Sequence, residues 1–275
     1  MRAMSHHRIG RRTWLTRMAG GLVAVWAGLK AEHGRDGWAG WLGWDPRAAA
    51  AGGSQTQTIP VEIQLDFQGT SVPVAAYVVV RGREIAVVDT LVEGNGDRIG
   101  AMIQQVGLDW RAVRHVILTH WHMDHAGSAA EVAGLAPQAT IWAGEADISQ
   151  IPLSHPIAAA QEGDEVFGLR IVATPGHTAG HISVLDPTTS TLLTGDSVFN
   201  VGELALSPPA FTADMAAALA SVQKLGGLTF ERALFGHGTP IESGASAAFA
   251  RLAAAGAELG PHALADYRHN CLLHA

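Results

Sequence analysis

Cysteine is nearly absent from this chain of 275 residues, which carries only Cys271. A lone thiol excludes an intrachain disulfide framework and any cysteine-rich zinc ribbon, so a metal ion here has to be held by nitrogen and oxygen. Basic charge is scarce too: 18 lysines and arginines stand against 25 acidic residues, for a formal net charge of -7. That balance offers no cationic footprint for a phosphate backbone, and nucleic acid is not the expected partner. No G-x-S-x-G elbow occurs, and Ser197 in "GDSVF" lacks the small-residue setting of a nucleophilic serine. No motif recurs at a period of about 20 to 50 residues, which argues against a solenoid or propeller. What is present is globular material, 48% hydrophobic and sufficient for a sizeable core.

Residues 1–57 read as a leader and linker. "MRAMSHHRIGRRTWLTRMAGGLVAVWAGLK" has an arginine-rich start, the pair Arg11-Arg12 followed by Thr13-Trp14-Leu15, and an apolar run from Met18 to Leu29. This order is similar to a twin-arginine export signal. Those 12 apolar-run residues fall short of the roughly 20 that a bilayer-spanning helix needs, so the segment is expected to be removed or to tether the protein. "PRAAAAGG", Pro46 to Gly53, supplies an A-x-A pattern for cleavage. Eight of the 18 basic residues lie in the first fifty positions, so almost half of the positive charge belongs to the leader. The expectation is an exported, periplasmic or otherwise extracytoplasmic protein. The twin-arginine machinery would be its export partner, and membrane contact would occur only through an uncleaved leader.

From about Thr58 to residue 275 the pattern becomes that of a single folded domain. "VEIQLDF" alternates, "VPVAAYVVV" and "EIAVVDT" are β-rich, and Arg81-Gly82-Arg83 between the latter two predicts a hairpin. A helix is predicted near Arg98–Val106, then a buried strand "HVILT", a small-residue helix from Ser128 to about Gly134, and a strand "ATIWA". After the loop "IPLSHP", strands are predicted at Val166–Ala173, His181–Leu185 and Thr191–Thr194, followed by a helix over Thr212–Leu225. A strand "RALFG" and an alanine-rich helix from about Ser243 complete the pattern. Strands lead each half and helices follow, which predicts an α/β domain (α+β by some schemes) of two packed sheets with helices outside.

"HVILTHWHMDHAG" crowds four histidines and an aspartate into thirteen positions that begin with the predicted strand. Loops at strand ends commonly hold functional groups, and imidazole is the commonest protein metal ligand. His120 and His122, two apart on an extended segment, can point the same way, while Asp124 and His125 can face a second ion. Three more stretches put ligand-type residues at strand ends: "TPGHTAGH" with His177, "TLLTGDSVF" with Asp196, and "ALFGHGTP" with His237. Each alone is equally well read as a turn or cap. Four together point to a metal site.

The set "THWHMDHAG", "TPGHTAGH", "TGDS" and "GHG", with "VVDT" ahead of it, resembles the metallo-β-lactamase superfamily, specifically its glyoxalase II-like and lactonase-like hydrolases, over roughly Ile59 to Glu242. The resemblance implies an αββα sandwich of two mixed β-sheets packed face to face. It implies two divalent ions, zinc first, with iron or manganese as alternatives. His120, His122 and His177 would bind the first, and Asp124, His125 and His237 the second, with Asp196 bridging both. Asp89 and Thr119 would orient ligand histidines from behind. His181 and His115 are read as structural.

Two ions sharing a water lower its pKa toward neutrality. The implied chemistry is therefore attack of a metal-bridging hydroxide on an ester, lactone, thioester or amide of a small acyl substrate, with Asp124 positioning the water or receiving its proton. Departures from the subfamilies narrow this. Asp196 stands where one class of β-lactamases has cysteine, and a second class with the H-x-H-x-D-H motif lacks a bridging aspartate. Only 37 residues follow Gly238, too few for the helical glutathione-binding domain of glyoxalase II enzymes. "SVFNVGELALSPPAF" lacks the tyrosine that homoserine-lactone lactonases place there. Trp121, Phe199 and Phe211 are candidates for an apolar substrate wall, with core packing as the competing reading. Two other functions stay open: a mononuclear iron persulfide dioxygenase, and a non-catalytic metal-binding protein of the same fold. The leader reading predicts that replacing both Arg11 and Arg12 with lysine abolishes export, scored by fractionation and immunoblot; undiminished secretion would discard it.

Overall fold

The structure, a computed structural model, describes residues 56–67 and 70–258. The expected leader except for its last two residues, and the C-terminal segment with Cys271, lie outside the described residues. β1 (Gln57–Phe67), β2 (Thr70–Arg81) and β3 (Glu84–Val88) run antiparallel, the last two joined through Gly82 at φ +62. From there the sheet turns parallel. α1 (Gly96–Gln105) crosses over to β4 (Val113–Leu118), after which come the single turn α2 (Met123–Ala126) and α3 (Ala129–Leu135). β5 (Thr140–Gly144), the short α4 (Glu145–Ile148) and β6 (Ile157–Ala160) complete a six-stranded sheet in sequential order.

The second sheet has the order β13-β10-β9-β8-β7. It is built from β7 (Glu165–Val166), β8 (Leu169–Ala173), β9 (Ile182–Asp186), β10 (Thr191–Leu193) and β13 (Arg232–Leu234), with only the β10–β13 pair parallel. β11 (Val198–Val201) and β12 (Glu203–Leu206) form a separate hairpin, and α5 (Met215–Gly226) and α6 (Ala245–Glu258) follow.

The period of two along β2 makes the layers. Val78 and Val80 join Ile99, Ile103 and Val132 of α1 and α3 in one core, while Tyr77 and Val79 join Ile171, Ile182 and Val184 of the second sheet in another. A strand covered on both faces reads as an unbroken apolar run, which is why "YVVV" shows no alternation. The far face of the second sheet, through Val172, Leu185 and Leu192, packs with Val222, Leu225 and Phe249 of α5 and α6. The architecture is thus the expected αββα sandwich of two mixed sheets.

Local expectations need three corrections. The strand predicted over Val166–Ala173 is two strands, because Phe167 at φ +58 and Gly168 at φ +71 turn the chain and pair Glu165 with Arg170. The helix predicted from Thr212 starts at Met215, because the Asp214 carboxylate accepts from Ala216 N–H at 2.9 Å and Ala217 N–H at 3.1 Å and so caps it. β6, β11 and β12 are additional strands of four residues each, too short to carry a period.

The two sheets are joined at opposite ends by polar contacts. At one end Arg81 Nη2 meets the fully buried Asp186 Oδ1 at 2.7 Å. At the other, Tyr77 O–H donates to Phe235 O at 2.6 Å and Ala75 N–H to Gly236 O at 3.0 Å, so β2 grips the two residues ahead of His237. Tyr77→Phe leaves the buried Phe235 carbonyl without this donor. The expected cost is about 1–2 kcal/mol in urea denaturation; an unchanged midpoint would show that the bond is idle.

Candidate metal centre

Loops following β3, β4, β8, β10 and β13 meet at one end of the sandwich. β4 stops at Leu118, and the Thr119 N–H then donates to Asp89 Oδ1 at 2.7 Å, tying the loop to the end of β3. His120 follows, fully buried, and Ala126 N–H bonded to His122 O at 2.8 Å closes the turn that carries Asp124 and His125. His177 sits in the β8–β9 loop, whose shape depends on Gly176 at φ +138. A Cβ there would lie 2.2 Å from the Ala218 backbone nitrogen, so α5 packs flush against the turn. Ser221 Oγ donates to Pro175 O at 2.7 Å and Asp214 N–H to Gly176 O at 2.9 Å. Asp196 follows β10, and His237 follows β13 with Phe199 stacked on its ring, centroids 4.9 Å apart.

The structure brings seven of the sequence-predicted residues together in two interlocked sets. In the first, His122 Nδ1 lies 3.1 Å from His120 Nε2 and 2.8 Å from His177 Nε2. In the second, His237 Nε2 lies 3.3 Å from His125 Nε2 and 3.2 Å from Asp124 Oδ2. Asp196 reaches both: Oδ2 is 3.5 Å from His177 Nε2 and 3.3 Å from His237 Nε2, and Oδ1 is 3.2 Å from His125 Nε2. Within each triad, His120–His122–His177 and Asp124–His125–His237, the donor atoms lie within 4.8 Å of one another.

Outer hydrogen bonds fix where the protons sit. Pro73 O and the Asp89 carboxylate can only accept, so His237 Nδ1–H donates to the former at 2.7 Å and His125 Nδ1–H to the latter at 2.9 Å. Thr119 Oγ1 gives its proton to Asp89 Oδ2 at 2.8 Å and therefore accepts from His120 Nδ1–H at 3.0 Å. Nε2 of all three rings consequently faces inward, as the position left for a cation or, on His125 and His237, for a second proton. Asp89 adopts φ +62, unusual for a side-chain-bearing residue, and three donors hold it there.

The electrostatics divide the site. Burial pushes His120 and His177 well below the ordinary histidine range, and neighbouring imidazoles add to it, so both are neutral. Burial acts the same way on His125 and His237, but the charge of Asp196, joined by Asp124, outweighs it, raising His125 well above that range and His237 to about 10. Burial would raise Asp124 and Asp196, but His125 and His237 hold both below the usual carboxylate range. Asp196 Oδ1 is buried and makes no well-aligned hydrogen bond. Inward ring nitrogens about 3 Å apart, an orphaned carboxylate oxygen and an all-nitrogen-and-oxygen donor set fit divalent cations and do not choose among zinc, iron and manganese.

His181 takes no place among the seven. Its Nε2 accepts the Asp196 N–H at 2.9 Å, its Nδ1 bonds Thr174 Oγ1 at 2.8 Å, and burial, against the Asp196 charge, lowers it to about 3. It braces the carboxylate from behind. His115 lies away from the cluster, accepting from Trp142 Nε1 at 3.1 Å. Trp121 packs edge-on to His122 at 4.5 Å and against the α1–α3 core; Phe211 ends the 3-10 turn Pro209–Phe211. Sequence reasoning missed Ser207, bonded to His177 Nδ1, and Asp147, which accepts from Trp121, Thr178 and Gly180. Ser207 carries no local signal, whereas Asp147 sits just past the end of a parallel strand.

The sequence pattern of the metallo-beta-lactamase superfamily matches residues 69–237, and the chain belongs to that family. Among relatives, the uncharacterized protein YobT of Bacillus subtilis is 29% identical over 166 residues, 52% of this chain and 70% of YobT. The lactamase-like protein adaB of Aspergillus niger is 27% identical over 181 residues, covering 65% of this chain and 53% of adaB. An atrochrysone carboxyl ACP thioesterase of Pseudocercospora fijiensis is 27% identical over 180 residues, covering 64% of this chain and 50% of that enzyme. The chain thus spans about half the length of these fungal relatives. Among solved structures, the metallo-beta-lactamase family protein TTHA1429 of Thermus thermophilus superposes with a TM-score of 0.59 at 22% identity, over 76% of this chain and 79% of that one. TTHA1623 in a di-iron-bound form gives 0.56 at 25% identity, over 70% and 97%.

In the metal-free protein, protonated His237 stabilises the fold. That contribution is complete below 6.5 and is lost as pH rises through about 10. Asp124 contributes in the opposite sense, above 3.8, and loses its part as pH falls. Metal binding instead needs deprotonated rings. Between pH 6.5 and pH 10 the melting temperature of chelator-treated protein should therefore fall while the increment from added divalent metal grows, read by scanning fluorimetry; a metal increment flat in pH would contradict this.

Proposed function

We propose that this chain is an exported dinuclear metal-dependent hydrolase that cleaves a small acyl thioester or ester. The observation that carries the reading is the placement of Asp196, whose two oxygens lie within 3.5 Å of imidazoles from both triads. His120, His122 and His177 would hold one ion, Asp124, His125 and His237 the other, and Asp196 both. Two divalent cations so held would bring the pKa of a water toward neutrality and polarise an acyl carbonyl oxygen. The name of the Pseudocercospora relative supports thioesters ahead of amides. Arg11-Arg12 and the apolar run behind them support export.

The chain's own residues supply the rest. Asp124 is the site carboxylate open to solvent, its side chain 20% exposed against 4% for Asp196, so water and substrate reach it first. Held ionised by His125 and His237, it is a hydrogen-bond acceptor suited to orienting a water; its depressed pKa makes it a weak base. Asp89 and Thr119 keep His120 and His125 in the tautomer with Nε2 inward. Trp121 beside His122 and Phe199 on His237 give each set a flanking aromatic ring; Phe199 is buried, so the half-buried Trp121 is the one of the two that leaves apolar surface for an acyl chain.

The test is a panel of acyl thioesters, esters and lactones offered to chelator-stripped and zinc-reconstituted protein, with free thiol as one readout. Thioester cleavage that appears only on metal addition is expected, and cleavage surviving metal removal would overturn the reading. Asp196→Ala should lose at least one bound metal and on the order of 10²-fold or more in rate, beyond the 10–100-fold typical of residues behind a ligand. An unchanged metal content and rate would remove Asp196 from the site.

A further inference from the structure

Asp147 lies outside the seven-residue cluster and touches none of its imidazoles, yet it is 1% exposed. Among the described residues no lysine, arginine or histidine forms an ion pair with it. A carboxylate buried without a cation is costly unless donors saturate it. Three do. Oδ2 accepts from the Trp121 N–H at 3.2 Å and from the Thr178 hydroxyl, and Oδ1 accepts from the Gly180 N–H at 2.7 Å. Trp121 stands between His120 and His122, and Thr178 is next to His177. One side chain on α4 therefore holds both loops that supply the three-histidine set.

The backbone is shaped for this contact. A Cβ on Gly144 would lie 1.8 Å from Gly180 O, and one on Gly180 would lie 2.5 Å from the Asp147 nitrogen. The start of α4 and the His177 loop meet at a separation only glycine permits at both positions. The second set hangs from other anchors: Asp89 behind His125, Pro73 O behind His237, and Tyr77 on Phe235.

We propose that Asp147 is a positioning residue that sets the spacing between the His120–His122 loop and the His177 loop, and so tunes cation binding at the three-histidine set alone. This rests on the metal reading given above. An asparagine at 147 keeps the shape but offers one acceptor oxygen and an NH2, so a donor faces a donor and the two loops are no longer held by one group. Thr178 is the second handle on the same contact, since valine removes the hydroxyl with little change of shape and serine keeps it.

The experiment is competitive titration of the metal-free full chain with zinc or cobalt against a chromophoric chelator. The step belonging to the three-histidine set is the one lost in His122→Ala. Asp147→Asn should weaken that step by roughly 10–100-fold and leave the other unchanged. Thr178→Val should move the same step in the same direction, with Thr178→Ser recovering it, and this pair decides the matter if Asp147→Asn does not fold. Superimposable isotherms, or equal weakening of both steps as a general loosening would give, overturn the assignment. A wild-type chain that takes up no metal overturns the metal reading and this inference together; two wild-type steps with an indifferent Asp147→Asn overturn only this one.

Discussion

Ring nitrogens of buried and half-buried imidazoles stand 2.8 to 3.3 Å apart in this protein while hydrogen bonds to Pro73, Asp89 and Thr119 pin the protons of three of those rings on their outer sides. Lone pairs facing one another at that distance repel, and burial removes the water that would screen them. A proton or a cation between them makes the arrangement favourable: Asp124 and Asp196 favour protons on His125 and His237, and a divalent cation would serve either set. Most polar contacts at that end of the sandwich serve to hold groups in a geometry they would not keep alone.

Two kinds of support do this. One acts on the rings: Asp89 bonds His125 directly and reaches His120 through the Thr119 hydroxyl, so a single carboxylate behind the site governs an imidazole in each set. The other acts on backbone: Tyr77 and Ala75 on the Phe235-Gly236 segment, Ser221 and Asp214 on the turn before His177, His181 on the Asp196 amide. Ring anchors set the tautomer and hence which nitrogen can bind a cation. Backbone anchors set how far apart the loops stand. Separating the two explains how a site made from five loops can be stiff although loops are usually the least constrained part of a domain.

Much of this was legible in the sequence, for definite reasons. "THWHMDHAG" is dense enough in ligand-type residues that no solvation argument accounts for it, and "VVDT", "TGDS" and "GHG" end strands whose apolar runs are plain. The sandwich followed from strands that lead each half. The short hairpin β11–β12 was not legible because four residues cannot display a period, and the β7–β8 turn because Phe167, in a left-handed conformation, gives no turn signal by type. Asp147, Ser207 and Tyr77 escaped for another reason. Each acts on a residue at least 30 positions away, and no local pattern marks which distant loop a carboxylate, hydroxyl or phenol will reach.

That long reach also constrains when the site can exist. Its seven residues run from His120 to His237, and their anchors begin at Pro73, on the opposite sheet from β13. Neither half of the chain contains a complete set with its supports: His177 closes the first triad from the second sheet, and His237 depends on β2 of the first. Isolated fragments therefore cannot prearrange the inward ring nitrogens, and tight metal uptake has to follow pairing of the two sheets. If residues 1–57 act as proposed, a route that carries folded cargo is the one compatible with loading before export, since an unfolded chain crossing a membrane would present scattered histidines and no cluster.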